Sequence, residues 1–261
     1  MPKRTTIRDI RNKASDGQKI SMVTAYDAFS ARLVEQAGID IALVGDSVGT
    51  TLQGRNDTLG VSMQDMLYHT EIVARSTERV LVIGDMPFGS YQVNEDQAMQ
   101  NAVAFLKAGA NAVKLEGGAS VMPVIERMCE AGIPVMGHLG FTPQSTNITS
   151  GPRVNKSRDE LMEDAESLAD AGVFALVLEM VPGKIAQEIT QAIKVPTIGI
   201  GAGPHTSGQV LVFHDMLGFS PDFSPRFLKR YFNFHQQALD ALKQYKQEVE
   251  GGQYPGEEHS Y

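Results

Sequence analysis

The sequence predicts an α/β fold, a (β/α)8 TIM barrel with a short N-terminal helix and a long C-terminal helix. Eight short apolar runs, typical of strands buried on both faces, are spread along the chain. Longer segments with helical spacing separate most of them. Repeated strand–helix units imply a parallel sheet with right-handed crossovers. Eight strands in one domain favour a closed barrel over the alternative, an open doubly wound sheet.

The predicted strands lie at residues 20–24, 41–45, 80–83, 112–115, 134–137, 175–178, 196–200 and 210–213. The predicted helices include residues 28–37, 63–75, 95–108, 122–131 and 158–171. Several helices end in Ala-Gly, where glycine can adopt the left-handed conformation that closes a helix. Only residues 201–209 separate the last two strands, which is too short for a full crossover helix. Either that helix is very short or the strand count is wrong.

The two ends of the chain complete this plan. Residues 6–14 predict the leading helix, and residues 225–247 predict the closing helix, which is rich in aromatic side chains. We expect residues 1–250 to form a single barrel domain. Residues 251–261 are rich in glycine and charge, so they predict a flexible tail.

Composition narrows the class of protein. The chain has 261 residues, a formal net charge of −8 and a single cysteine, Cys129, which excludes an internal disulfide. No lysine or arginine cluster offsets the acidic balance, so we expect neither a nucleic-acid nor an anionic-membrane partner. The N-terminus lacks the apolar run of a signal peptide, and no stretch approaches a membrane span. The expected location is therefore the cytoplasm.

Titratable side chains follow five consecutive predicted strands. In chain order they are Asp46 (beside Ser47), Asp85, Lys114 with Glu116, His138 and Glu179. In a (β/α)8 barrel the carboxyl ends of the strands form the active site. An inert barrel has little reason to place charge at five strand ends in a row, so this pattern predicts an enzyme.

Three of these residues are candidate metal ligands. Asp46, Asp85 and Glu116 would bring carboxylate oxygens together from neighbouring strands. Mg²⁺ prefers oxygen ligands and usually takes one or two carboxylates, leaving positions for water and substrate. The alternative is that each carboxylate caps the helix that follows it.

Lys114 and Glu116 are two residues apart on one strand, so their side chains face the same way. An ammonium group beside a metal would bind a substrate carboxylate as a point charge. The alternative is an ion pair between Lys114 and Glu116 that only stabilises the barrel mouth.

Glu179 and His138 are the candidate proton-transfer residues. Glu179 lies between an apolar strand and Met180-Val181-Pro182, and this apolar setting suits a base that abstracts a proton beside a carbonyl. Its alternative role is to support the metal or Lys114. His138 is a candidate for hydrogen bonding to the substrate or for steering a proton. A purely structural role for His138 is an equal alternative.

A series of short motifs resembles one enzyme family. In chain order the motifs are VTAYD at 23–27, VGDSVG at 44–49, YHT at 68–70, DMPFGSY at 85–91, VKLEGG at 113–118, GHLGFTPQS at 137–145, LE at 178–179, GIGAG at 199–203 and HD at 214–215. Each motif alone is weak, but the ordered series over about residues 5–219 is similar to the ketopantoate hydroxymethyltransferases.

The resemblance implies a function. Members of that family transfer a hydroxymethyl group from methylene-tetrahydrofolate to 3-methyl-2-oxobutanoate, which gives ketopantoate for pantothenate and coenzyme A biosynthesis. They are (β/α)8 barrels that assemble as homodecamers and use Mg²⁺, one ion per subunit.

The resemblance also implies roles for individual residues. The implied metal positions are Asp46, Asp85 and Glu116, the last directly or through water. The implied contacts to the oxo acid are Asp46, Ser47, Asp85 and Lys114. Glu179 would be the proton acceptor, and His138 would lie close to the substrate.

Some loops depart from the family pattern. Gly60 and Ser207 replace a usual proline and a usual aspartate, and residues 151–157 differ from the usual sequence. These changes put the folate contacts in question but leave the strand-end residues intact. Two other functions remain open: a phosphoenolpyruvate mutase/isocitrate lyase-like enzyme, and a barrel that binds a ligand without turnover.

Overall fold

The computed structural model describes residues 4–145 and 157–261. Eight parallel strands close into a barrel in chain order, which confirms the predicted fold. The strands are β1 Ile20–Thr24, β2 Ile41–Val44, β3 Leu81–Asp85, β4 Ala112–Lys114, β5 Val135–Gly140, β6 Ala175–Glu179, β7 Thr197–Ile200 and β8 Gly208–Leu211. Most of the altered segment at 151–157 falls outside the described residues.

Ten α-helices lie in the described part of the chain, most of them between consecutive strands. They are α1 Ile7–Ser15, α2 Ala28–Gln36, α3 Val48–Thr51, α4 Met63–Arg75, α5 Glu95–Lys107, α6 Met122–Glu130, α7 Arg158–Asp170, α8 Gly183–Ala192, α9 Phe213–Met216 and α10 Phe234–Glu250. Short 3-10 helices lie at Ala119–Val121, Pro143–Ser145 and Glu257–His259. The five predicted barrel helices all form, each ending within one residue of its predicted end. No described helix combines the length and the apolar character that crossing a membrane would require.

Local sequence explains where these helices begin and end. Ser62 Oγ accepts a hydrogen bond from the Asp65 backbone N–H at 3.1 Å, and Asp65 Oδ2 accepts one from the Ser62 N–H at 3.0 Å. Such a reciprocal cap stabilises a helix by about 1 kcal/mol. At the other end of a helix, Gly132 adopts a φ of 79° directly after α6, as its Ala-Gly pattern predicts.

The link between β7 and β8 resolves the question of strand count. Residues 201–207 form turns without a helix, so eight strands are present although the last crossover lacks one. Strand β8 begins at Gly208, two residues before the predicted start, and Gly208 pairs with Ile198 and Ile20. A Cβ atom at Gly208 would collide with the Ile20 carbonyl oxygen, so the close strand approach requires glycine here.

The predicted bounds of the closing helix are wrong. Helix α10 begins at Phe234 and ends at Glu250, whereas residues 225–233 are irregular. The Arg230 guanidinium donates to the backbone carbonyls of Ser220, Pro221 and Phe223 at 3.0, 2.8 and 2.8 Å. These bonds hold this segment in a loop, which helical spacing of aromatic residues does not reveal.

The chain forms two compact units, Met1–Val212 and Phe213–Tyr261. The first contains the barrel, whose strands are buried almost throughout. Burying one large aliphatic side chain contributes about 1.5–3 kcal/mol, so this core supplies the main driving force for folding. The second contains α9 and α10, and no residue of α10 is buried.

Candidate active site at the carboxyl ends of strands β2 to β6

An ion pair between neighbouring strands lies at the centre of the site. Asp85 ends β3, Lys114 ends β4, and the two residues are partners in the parallel register. This register brings Lys114 Nζ to 2.7 Å from Asp85 Oδ1. Both side chains are at most 5% exposed. A charged pair at this depth is stable because each charge compensates the other's loss of water.

Glu116 extends this pair into a cluster. Its Oε1 lies 3.7 Å from Lys114 Nζ, as expected for side chains two residues apart on one strand. Burial alone would raise the pKa of the Glu116 carboxyl, but His138, Lys114 and the Gln144 backbone N–H together lower it. Glu116 is therefore held as a carboxylate. The ion pair between Lys114 and Glu116, the alternative role for Lys114, does form, but it is part of a larger cluster that includes Asp85.

Asp46 lies two residues beyond β2 and is also buried. Its backbone N–H donates to Asp85 Oδ2 at 3.2 Å. Burial and then repulsion by Asp85 and Glu116 raise the pKa of Asp46 to about 8. The pKa of Asp85 is also raised, chiefly by burial. Were all of its carboxyls ionised, the cluster would hold more negative charge than its own cations neutralise, so burial and repulsion favour the protonated form of Asp46.

His138 lies inside β5 between two carboxylates. Its Nδ1 is 3.3 Å from Glu116 Oε1, and its Nε2 is 3.4 Å from Glu179 Oε2. Both approaches have ion-pair distances, but neither is aligned as a good hydrogen bond. Burial and the Lys114 ammonium act to lower the pKa of His138. Glu116 and Glu179 outweigh them and raise this pKa to about 9. His138 is thus a buried cation that links the two glutamates.

Backbone geometry places Glu179 at the end of β6. The Phe141 N–H donates to the Glu179 carbonyl oxygen at 2.8 Å. Gly140 on β5 is the register partner of Glu179. Gly140 has a φ of 101°, and a Cβ there would collide with that carbonyl oxygen. The next residue, Met180, has a φ of 54°, the only positive value among described non-glycine residues. Such backbone strain persists only where the surrounding structure holds the residue in place, as it often does at active sites.

Ser47 follows Asp46 and is partly buried. Its Oγ lies 2.8 Å from the Tyr26 hydroxyl, and His69 Nδ1 lies 2.6 Å from the Tyr26 carbonyl oxygen. The Tyr26 contact directs the Ser47 hydroxyl from the side of β1. The predicted residues from Asp46 to Glu179 therefore surround one end of the barrel, as the strand-end pattern predicted.

Sequence reasoning gave no role to two further buried residues, Tyr91 and Gln144. The Gln144 amide Nε2 donates to Asp46 Oδ2 at 3.0 Å, and the Tyr91 hydroxyl donates to Gln144 Oε1 at 2.7 Å. Both residues lie in motifs that carry the family resemblance. Neither follows a strand directly, which is why the strand-end pattern overlooked them.

The donor set suits a hard divalent cation. Carboxylate oxygens dominate the cluster, and a cation beside Asp46 and Asp85 would offset the repulsion that raises the pKa of Asp46. Within residues 4–145 and 157–261, no three or more His, Cys, Asp or Glu side chains form a complete cation site. A bound Mg²⁺ would therefore take only one or two oxygens from the chain, as it usually does.

Comparison with solved structures supports the fold. A phosphoenolpyruvate phosphomutase from Streptomyces platensis is 17% identical, with a TM-score of 0.64 over 95% of this chain and 88% of that one. A 2,3-dimethylmalate lyase is 15% identical, with a TM-score of 0.62 over 99% and 92%. At such low identity the likeness shows a shared barrel fold alone.

Comparison with protein families is more specific. The ketopantoate hydroxymethyltransferase family model matches residues 4–257. A 3-methyl-2-oxobutanoate hydroxymethyltransferase of Ignicoccus hospitalis is 51% identical over 98% of both chains. The enzyme of that name from Thermotoga maritima is 48% identical over 95% of this chain and 94% of its own. The chain therefore belongs to the ketopantoate hydroxymethyltransferase family.

Proposed function

We propose that this protein transfers a hydroxymethyl group from methylene-tetrahydrofolate to 3-methyl-2-oxobutanoate, giving ketopantoate. Its relatives bear the name of this activity at 47–51% identity. The observation that carries the proposal is Glu179, partly exposed beside the buried cluster of Asp46, Asp85, Lys114 and Glu116. A base next to a site for an oxo acid is what enolisation requires. This pathway role fits a cytoplasmic enzyme.

Lys114 and Ser47 are the proposed anchors of the oxo acid. Asp85, Glu116 and Asp46 raise the pKa of Lys114 above its ordinary value although burial opposes them, so its ammonium stays charged. It is a point charge for the substrate carboxylate. The Ser47 hydroxyl, 2.8 Å from the Tyr26 hydroxyl, is the proposed hydrogen-bonding partner of the oxo acid.

Asp46 and Asp85 are the proposed Mg²⁺ ligands, with Glu116 acting through water, as the family resemblance implies. When bound, Mg²⁺ supplies positive charge to the keto oxygen as that oxygen gains negative charge. The oxygen donors also accept Mn²⁺ or Co²⁺, so the choice of metal needs a measurement.

Glu179 is the proposed base. Its carboxylate removes the C3 proton of the oxo acid, and the electron pair moves toward the keto oxygen. Water releases the one-carbon unit from folate as formaldehyde, and the two folate nitrogens take up the two protons of that water. C3 then bonds to the formaldehyde carbon, and the formaldehyde oxygen becomes the hydroxyl by accepting the proton that Glu179 removed. His138 stays cationic between Glu116 and Glu179, and its Nε2, 3.4 Å from Glu179 Oε2, orients the base.

Proton NMR of 3-methyl-2-oxobutanoate in D₂O tests the first step. With protein and Mg²⁺ but without folate, we expect the C3 proton signal to disappear and the loss to stop when a chelator is added. Addition of methylene-tetrahydrofolate should then give ketopantoate. A folded, Mg²⁺-loaded sample that exchanges no proton would overturn the proposed enolisation.

The proposal includes a homodecamer, as the family resemblance implies. Large apolar side chains are exposed along one side of α10, at Leu239, Leu242, Tyr245 and Val249. Their spacing of three or four residues forms a continuous stripe, which suits a helix that packs against another chain. Light scattering after size-exclusion chromatography tests this: a mass of one chain would contradict it.

A further inference from the structure

The side chain of Gln144 is buried at the junction of the candidate ligands. Its Nε2 donates to Asp46 Oδ2 and to the Met86 carbonyl oxygen, both at 3.0 Å. Its backbone N–H donates to Glu116 Oε2 at 3.1 Å. One residue of the loop after β5 therefore contacts carboxylates that come from the ends of β2 and β4.

The partners of Gln144 determine which way its amide points. Its Oε1 accepts from the Tyr91 hydroxyl at 2.7 Å and from Gln92 Nε2 at 3.2 Å. Two donors therefore face the oxygen and two acceptors face the nitrogen. The flipped amide would point its oxygen at the Asp46 carboxylate and the Met86 carbonyl, which is repulsive in a buried site.

Tyr91 is anchored in turn by the backbone of Glu116. The Glu116 N–H donates to the Tyr91 hydroxyl oxygen at 3.1 Å. Two acceptors face the hydroxyl proton, and Gln144 Oε1 at 2.7 Å is closer than the Glu116 carbonyl oxygen at 3.2 Å. Tyr91 is 2% exposed, so this arrangement is screened from water. Hydrogen bonds of this kind around metal-binding carboxylates set their orientation.

We propose that Gln144, oriented by Tyr91, is a positioning residue for the reaction. It holds Asp46 Oδ2 and Glu116 Oε2 in place and so fixes the orientation of two carboxylates that would hold the cation. The inference rests on the proposed function for the identity of the ligands. It adds a specific cause for the geometry of Asp46: the amide of Gln144 orients its carboxylate through Oδ2.

Three substitutions test this role. Gln144→Met keeps the length of the side chain and removes both ends of the amide. Tyr91→Phe removes only the hydroxyl that orients the amide. Gln209→Met is the matched control, since Gln209 Nε2 also donates two hydrogen bonds, to Gly203 O and Thr206 Oγ1 at 2.9 Å, away from the site.

The measurements are the Kd for Mg²⁺ alone by calorimetry, the kcat and KM of C3 proton exchange, and the Tm. We expect Gln144→Met to raise the Mg²⁺ Kd about 10- to 100-fold and to lower kcat. Tyr91→Phe should also raise the Mg²⁺ Kd and lower kcat, but by less than Gln144→Met does. Gln209→Met should leave both at the wild-type value.

A structural role alone predicts a different pattern. It would lower the Tm of Gln144→Met while the folded protein keeps the wild-type Mg²⁺ Kd and kcat, and that result would overturn the proposal. If Gln144→Met does not fold, the Mg²⁺ Kd of Tyr91→Phe decides in the same way. Wild-type protein that binds Mg²⁺ without exchanging protons would instead refute the proposed function, while the Kd comparison would still test Gln144. Wild-type protein that does not bind Mg²⁺ would refute both.

Discussion

The two sides of the barrel differ in how they satisfy buried polar groups. Strands β2 to β6 lead to a cluster of titratable side chains, whereas β1, β7 and β8 end in Thr24, Ile200 and Leu211. On that side, called the neutral side because its strands end in uncharged residues, hydroxyl groups form buried contacts at the start of β7 and in the link from β7 to β8. Thr197 Oγ1 lies 2.7 Å from Thr190 Oγ1, and Thr206 Oγ1 donates to the Gly208 carbonyl oxygen at 2.8 Å.

The contrast shows where the fold tolerates an electrostatic cost. Neutral hydroxyl pairs satisfy burial at little cost, but buried carboxylates repel one another and resist ionisation. The raised pKa of Asp46 is a direct sign of that cost. Strands β1, β7 and β8 pair into the same closed barrel without such a cluster at their ends, so strand pairing does not require it, and the charged side is best explained by chemistry.

The largest expected effect is that of Glu179→Gln on the charged side. Removing the base should lower the rate of C3 proton exchange by about 10²- to 10⁴-fold. Mg²⁺ and oxo-acid binding should persist, since the proposed binding residues remain. Proton NMR in D₂O measures the rate, and Thr197→Val on the neutral side is the control, for which we expect the wild-type rate. Wild-type exchange in Glu179→Gln would remove Glu179 as the base.

Asp85→Ala should weaken binding more than any change on the neutral side. It removes a proposed Mg²⁺ ligand and the closest partner of Lys114. Because the oxo acid and the cation bind as a chelate, both affinities should fall together, by at least about tenfold. Calorimetry with each ligand measures this. Two unchanged affinities would show that the metal assignment is wrong.

Two glycines at opposite ends of β5 offer a matched pair. Gly132, before the strand, and Gly140, at its end, both have positive φ, but a Cβ at Gly132 meets open space. Gly132→Ala should therefore cost only the backbone strain, about 1–2 kcal/mol, and leave exchange unchanged. Gly140→Ala should cost more and also slow exchange, since its Cβ displaces the Glu179 backbone. Urea unfolding and NMR measure both, and equal effects would contradict this account of Glu179.

The smallest expected effect is a pH dependence of stability without metal. The folded-state pKa of His138 is raised from 6.5 to about 9, so its stabilisation is complete below pH 6.5 and is lost between pH 6.5 and 9. The folded-state pKa of Asp46 is raised from 3.8 to about 8, so the folded protein binds this proton more tightly than the unfolded chain does. The stability of the fold therefore also falls as the pH rises to about 8.

Both shifts predict that the Tm of chelator-treated protein falls from pH 6.5 to 9. His138→Gln should show a shallower fall, because one of the two contributions is removed. Thermal unfolding followed by circular dichroism measures the slope. A Tm that rises over this range would show that the charged cluster is not strained without a cation.

Sequence reasoning succeeded where local pattern decides the structure. Helix α4 matches its predicted bounds because Ser62 caps its start and the stretch up to Arg75 has clear helical spacing of apolar residues. It failed at residues 225–233, where Arg230 imposes a loop through carbonyls seven to ten residues away. It gave no bounds for helix α8, which begins after Pro182 without a side-chain cap. Distant contacts and missing caps leave no local signal.

By itself, the sequence determined the barrel, the strand ends that carry charge and the set of candidate residues from Asp46 to Glu179. Those features follow from period, glycine placement and strand polarity, which are local. Only the tertiary structure decided the partners: Lys114 with Asp85, His138 between two glutamates, and Gln144 against Asp46. These contacts join residues up to 98 positions apart. They depend on strand register and loop path, which a single sequence does not display.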